Sequence, residues 1–247
     1  EVKGAGEGPD DNLKRVKQRV KAQTLICKPF VDQIGAAAEL VRYKLPAYFL
    51  DFETIQFAVP IWKGTRPYQQ IPFQFSLHGL SQTGKLDHSE FLDLSGDDPS
   101  GVFAEILILA CDQVGPIFVY NAGFEATRIL ELADRFPRLK LPLLAITERI
   151  VDLLPIARRY YYHPSQQGSW SIKSVLPAIA SDLRYDKLAG VQDGGTAMTA
   201  YLEAIHPQTG STRKDEIRQQ LLDYCGLDTY ALVRLWRHFT ERNDLDI

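Results

Sequence analysis

The stretch Ala47-Tyr-Phe-Leu-Asp-Phe-Glu53 constrains the fold more than any other part of this 247-residue chain. Ala47 to Phe52 has the composition of a short, central, buried strand. Two carboxylates, Asp51 and Glu53, nevertheless stand at its end, and residues two apart on a strand share a face. Two unpaired carboxylates beside a hydrophobic sheet are costly unless a cation neutralises them. Oxygen ligands on a rigid strand suit Mg²⁺ or Mn²⁺. Taken alone, the pair also suits a strand end that reaches solvent.

The flanking pattern argues an α/β chain. After a loop rich in Pro, Gly and Trp comes IPFQFSLHGL, in which Ile71, Phe73, Phe75 and Leu77 alternate with Pro72, Gln74, Ser76 and His78. That is the period of a half-exposed strand, with a hydrogen-bonded structural role expected for His78. Ser81 to Lys85 reads as a hairpin turn into a third strand, Leu86 to Leu92. VFAEILILACDQV then reads as a helix, PIFVYN as a buried strand, Gly123 to Phe136 as a helix and ERIVDLL as a fifth strand. Further helices are expected near Ile172–Ile179, Thr196–Ile205 and Lys214–Arg242. A three-strand meander followed by alternating helix and strand predicts a sheet of mixed direction covered by helices.

Upstream, residues 1–11 are polar and rich in Gly and Asp, and disorder is expected there. Asn12 caps a helix predicted to start at Leu13, with Val16 and Val20 at helical spacing. Its basic residues (Lys14, Arg15, Lys17, Arg19, Lys21) read as a solvated face. The division expected is an extension over residues 1–44 and one domain over residues 45–247. Without an initial methionine, and with Met198 as its only one, the chain is expected to be a fragment or a processed product.

Composition narrows the class without deciding it. Hydrophobic residues make up 45% and charged residues 24%, ordinary for a globular protein with a substantial core. No apolar run approaches the roughly 20 residues of a membrane span, and no apolar segment at the N-terminus reads as a secretory signal. Cys27, Cys111 and Cys225 are odd in number and far apart, which suits reduced, mostly buried thiols in a cytoplasmic protein. The net charge of −3 neither announces nor excludes a nucleic-acid partner.

Two further acidic signals follow the first. In YNAGFEATRIL, Asn121 ends a strand and Glu125 falls in the first turn of the next helix, where the helix dipole favours an acid of any purpose. In DYCGLDTYALVRLW, Tyr224 and Asp228 are four apart and share a helical face, beside a core stripe of Leu227, Ala231, Leu232 and Leu235. Asp152 and Asp193 are secondary site candidates that also suit a strand-end cap and a turn residue respectively. No Gly-x-Ser-x-Gly, P-loop, His-Glu-x-x-His or paired Cys-x-x-Cys is present to suggest another hydrolase class.

In order and chemistry these signals resemble the DEDD (DnaQ-like) 3′–5′ exonuclease superfamily, in its tyrosine-containing subgroup. Asp51 and Glu53 match the first motif, Asn121, Phe124 and Glu125 the second, and Tyr224 and Asp228 the third. IVDLLPIAR and SWSIKSVLPAI resemble the family's intervening strand and helix start. The wording from DFET through GTRPYQQIPFQFSLH is similar to an uncharacterised bacterial family in which a RecB-like nuclease segment commonly lies upstream. The resemblance covers roughly residues 45–240. One departure stands out: Glu125 occupies a position where the wider superfamily has Asp.

The resemblance implies an RNase H-like five-stranded mixed sheet and two divalent cations, Mg²⁺ or Mn²⁺, about 4 Å apart at the scissile phosphate. Asp51 is expected to bridge both ions, Glu53 and Asp228 to complete the catalytic one, and Glu125 to hold the second through water. Tyr224 would orient the attacking water, since a phenol with a pKa near 10 is a poor base at neutral pH. Thr54, Asn121, Phe124, Arg66 and Lys173 are assigned to substrate. Lys63, Tyr68, Arg128, Arg158, Arg159 and the run Tyr160-Tyr161-Tyr162-His163 are weaker candidates for phosphate or base contacts. The implied partner is DNA or RNA, as a single-stranded 3′ end, with an upstream nuclease-like domain in a longer chain and no membrane. The alternative is a catalytically inactive RNase H-like module that binds nucleic acid or protein.

Overall fold

The structure, a computed structural model, describes residues 9–111 and 114–242. Residues 1–8, expected to be disordered, and Asp112 and Gln113, expected to end a helix, lie outside the described residues. In chain order the elements are α1 (Pro9–Ile26), β1 (Phe30–Val31), α2 (Gln33–Leu40), β2 (Ala47–Ile55), β3 (Ile71–Leu80), β4 (Leu86–Leu92), α3 (Ser100–Ala110), β5 (Ile117–Val119), α4 (Gly123–Arg135), α5 (Lys140–Thr147), β6 (Ile150–Asp152), α6 (Leu153–Tyr160), β7 (Tyr161–Tyr162), α7 (Ile172–Ile179), α8 (Gly194–Ile205) and α9 (Ser211–Thr240).

β2 is the central strand of a five-stranded sheet of order β4-β3-β2-β5-β6. It pairs antiparallel with β3, which pairs antiparallel with β4, while β2–β5 and β5–β6 are parallel. This mixed sheet flanked by helices is consistent with the expected RNase H-like fold. Tyr48, Leu50 and Phe52 project from β2 onto Phe103 and Leu107 of α3, Ile129 and Leu132 of α4, and Leu143 and Ile146 of α5. Phe49 projects to the other side, stacking on Phe118 at 5.4 Å and meeting the Trp236 edge of α9 at 5.8 Å. Asp51 and Glu53 are in phase with Phe49, so the alternation of a strand carries both carboxylates beneath α9. Fully burying one such aromatic stabilises by about 1.5–3 kcal/mol, and many such contacts offset the cost of two buried acids.

Strand β3 departs from the half-exposed expectation: Gln74, Ser76 and His78 are buried. The reason is the 30-residue helix α9, which crosses the polar face of β3 and bonds to all three side chains, leaving Gln74 Oε1 without a partner. Gln74 Nε2 donates to Leu221 O at 2.8 Å, and the Thr229 hydroxyl meets Ser76 Oγ at 2.6 Å and His78 Nδ1 at 2.8 Å. Polar alternation here records a buried hydrogen-bonding face rather than solvent.

Other boundaries also move. Helix α1 starts at Pro9 rather than at Leu13 with Asn12 as cap, proline being well suited to a first helical turn. α8 starts at Gly194, two residues before Thr196, because Asp193 caps it by accepting from Thr196 N at 2.9 Å. α9 spans Ser211–Thr240 where Lys214–Arg242 was expected. Ahead of residue 45, Ala36 and Leu40 of α2 join the core of Phe49 and Phe118, and β1 pairs with β7. Cys111 and Cys225 are buried and Cys27 is exposed, in keeping with free and mostly buried thiols. Among the described residues no helix is long and apolar enough to cross a membrane.

Candidate metal centre

Strand β2 and helix α9 also come together next to the acids, where Cys225 Sγ approaches the Asp51 carbonyl oxygen at 3.8 Å. One turn of helix on from Tyr224, Asp228 therefore faces the strand carboxylates. One ligand atom from each of Asp51, Glu53 and Asp228 lies within 4.8 Å of the other two. Among the described residues no other group of three or more His, Cys, Asp or Glu side chains converges so closely. Glu125 arrives near Asp51 from the first turn of α4. The two carboxyls are close enough to influence each other's ionisation. Glu125 is 1% exposed, and its Oε2 is buried with no partner.

Above the carboxylates opens a cleft of about 350 Å³, lined also by Thr54, Gln56, Gln70, Tyr120, Phe124, Ile172, Lys173, Gly194, Met198 and Tyr224. Lys173, from the first turn of α7, donates to Gln192 O at 2.7 Å and to the Tyr224 hydroxyl at 3.0 Å. Its ammonium lies 4.6 Å from the centre of the Tyr224 ring and 5.1 Å from that of Tyr185, close enough for cation–π attraction. The start of α8 also approaches, since a Cβ on Gly194 would stand 3.8 Å from Glu53 Oε2.

Crowding acids out of water moves their titration upward. Burial, then the charges of Asp228, Glu125 and Glu53, hold the Asp51 carboxyl well above its usual range. Glu53 is pushed up to about 8 by burial and by Asp228, with Lys173 pulling the other way. Burial likewise carries Glu125 up to about 8. Asp228 rises only to about 6, because burial is opposed by a hydrogen bond from Tyr185 and by the Lys173 charge. Burial, with Asp228 and Glu53 nearby, raises the Tyr224 phenol, which therefore stays protonated. Clustered buried acids whose charged forms are this disfavoured make the cleft floor a candidate functional site.

Of the residues singled out from the sequence, the fold brings Asp51, Glu53, Thr54, Phe124, Glu125, Lys173, Tyr224 and Asp228 together. Asn121 is exposed; its left-handed φ of 77° turns the chain from β5 into α4. Its N–H and that of Ala122 donate to Asp152 at 2.9 and 3.1 Å, so Asp152 binds that turn as well as capping α6. Arg66 is exposed and paired with Glu131 at 2.6 Å, outside the cleft lining. Arg128 backs Phe124, 5.6 Å from its ring centre, and holds Gln70 and Glu131. Arg159 pairs with Glu39, Tyr161 and Tyr162 are buried in β7, and His163 caps a single turn at Pro164–Gln166. Tyr185, Gln70, Met198 and Gly194 were not anticipated. They come from segments without a periodic pattern or from positions that only the tertiary fold defines.

A family described as "Domain of unknown function (DUF2779)" matches residues 48–171, just over half of the chain. The match holds Asp51, Glu53 and Glu125 and stops before Lys173, Tyr224 and Asp228. Among curated proteins, the chain is 27% identical over 219 residues to "Uncharacterized protein MG366 homolog" of Mycoplasma pneumoniae, covering 78% of this chain and 32% of that protein. It is 25% identical over 226 residues to "Uncharacterized protein MG366" of Mycoplasma genitalium, covering 83% and 34%. The chain thus spans about a third of the length of these relatives. No solved structure matches it.

Proposed function

This chain belongs to the DUF2779 family, and we propose that it is a metal-dependent nuclease: a 3′–5′ exonuclease of the DEDD (DnaQ-like) kind, acting on DNA or RNA. The reading rests above all on the convergence of Asp51, Glu53 and Asp228, with Glu125 near Asp51, at the floor of an open cleft. Four acids drawn from three elements have no packing reason to meet, and the other three raise the cost of ionising Asp51.

The donors fit a hard divalent cation, being all carboxylate oxygens with no imidazole or thiolate among them. The unpartnered Glu125 Oε2 is a second observation in favour of the fit. Asp51, Glu53 and Asp228 would hold one ion, and Glu125 with Asp51 would hold another. Bound there, Mg²⁺ or Mn²⁺ would acidify a water molecule and offset charge on the scissile phosphate. Tyr224 is suited to orienting the attacking water, because its phenol stays protonated and Lys173 fixes its hydroxyl. Phe124, Ile172 and Met198 offer an apolar wall for a terminal base, and Thr54, Gln56 and Gln70 offer polar contacts to sugar or phosphate.

The extra methylene of Glu125 does not favour an inactive binding module, since the side chain still reaches Asp51. The enzyme would work in the cytoplasm on a single-stranded 3′ end, within a longer polypeptide that carries an upstream nuclease-like domain. The test is incubation of 5′-labelled DNA and RNA oligomers with the protein in Mg²⁺ or Mn²⁺. A ladder shortening from the 3′ end supports exonuclease action; internal cuts reassign the site to an endonuclease; intact strands under every condition refute the proposal.

A further inference from the structure

Tyr185 lies in the segment between α7 and α8, on the single turn Tyr185–Lys187, away from every motif that points to the site. It is 9% exposed, and its hydroxyl donates to Asp228 Oδ1 at 2.6 Å. The segment is fastened along α9 on both sides of this residue. Arg234 of α9 forms a two-pronged pair with Asp182 at 2.8 and 3.0 Å. Beyond Tyr185, Gly190 adopts a left-handed φ of 71° directly against Gln220 of α9, where any Cβ would collide with the glutamine side chain. Between these attachments the Tyr185 ring packs beside Tyr224 at 6.3 Å, with the Lys173 ammonium 5.1 Å from its centre.

From this geometry, and resting on the reading of Asp51, Glu53 and Asp228 as a metal centre, we propose that Tyr185 is a positioning residue for Asp228. Its hydroxyl fixes one carboxylate oxygen so that the other faces the cation. A carboxylate on a long helix turns freely about its side-chain bonds unless one oxygen is anchored, and a ligand held in its working rotamer loses less entropy on binding. The ring alone would be served by phenylalanine in the same apolar cluster. The hydroxyl is what a packing role leaves unexplained. Hydrogen-bonded partners of metal ligands typically contribute about 10- to 100-fold in metal affinity.

The test is Mn²⁺ titration of the whole chain, following free Mn²⁺ by its paramagnetic resonance signal, for wild type, Tyr185→Phe, Asp228→Asn and the double variant. The expected result is Mn²⁺ binding by the wild type and binding about 10- to 100-fold weaker in Tyr185→Phe. The variant should keep the wild-type circular dichroism spectrum and a cooperative melt in EDTA, lowered only by the loss of one buried hydrogen bond. In the Asp228→Asn background the second change should add no further loss. Wild-type affinity in Tyr185→Phe, or an equal loss on both backgrounds, overturns the positioning role while leaving the metal centre standing. A wild-type protein that binds no Mn²⁺ overturns both.

Discussion

The Lys173 ammonium donates a 3.0 Å hydrogen bond to the Tyr224 hydroxyl while sitting 4.6 Å from the centre of the same ring. One cation on α7 thus fixes both the plane and the hydroxyl of a side chain on α9, beside acids whose ionisation it favours. The resemblance had assigned Lys173 to substrate; its contacts give it a second duty toward the tyrosine.

If Lys173 orders Tyr224, then Lys173→Met and Tyr224→Phe should lower kcat by similar factors, on the order of 10²-fold, as expected for a misplaced reacting group. The double variant should be little worse than either alone, because residues that act as a unit are not additive. Steady-state kinetics on a labelled oligomer checks this. A rise in KM with kcat unchanged in Lys173→Met would assign the lysine to phosphate binding alone.

The stability of the metal-free protein should fall as pH rises from about 4.5 toward 8. Glu53 and Glu125 titrate near 8 in the folded chain and near 4.5 unfolded. Each raised carboxyl therefore contributes stability that is present below the unfolded value and is lost as pH climbs through the folded one. His78 sets the opposite limb. Burial, with His88 beside it, lowers its pKa from 6.5 to about 4, so its contribution is lost as pH falls across that window. Mn²⁺ should restore the alkaline limb by about 2.7 kcal/mol at one hundred times its Kd, and leave the acid limb untouched. Melting curves from pH 4 to 9, with EDTA or Mn²⁺, measure both; an alkaline limb indifferent to Mn²⁺ contradicts the metal centre.

Asp152→Ala should destabilise the fold by about 1–3 kcal/mol, through loss of a helix cap and of the acceptor for two further N–H groups. The affected donors are Leu154, Asn121 and Ala122, the last two setting the turn from which α4 presents Glu125. Urea unfolding gives the stability change. An unchanged midpoint would show that water replaces the carboxylate at no cost.

What could be read in the sequence was what repeats or lies close together. The alternation of β2 put Asp51 and Glu53 on one face, and the four-residue spacing put Tyr224 and Asp228 on another. The order of strands and helices pointed to the mixed sheet. The burial of β3 was not legible, because the helix that covers Gln74, Ser76 and His78 begins far downstream of them, at Ser211. Helix α6 begins directly after β6, so the apolar Leu153 and Leu154 read as the end of a strand. Tyr185 lies in a stretch with no periodicity, and only the fastening of that stretch to α9 turns it toward Asp228.

The central claim is tested most directly by the rate at which the Asp51→Asn protein shortens a 5′-labelled single strand, measured beside the wild type in Mn²⁺. The wild type should shorten the strand from its 3′ end. The variant should fall by at least about 10³-fold, as expected when a metal ligand at the reacting centre is removed, while melting no lower than the wild type in EDTA. Full activity in the Asp51→Asn protein would contradict the account.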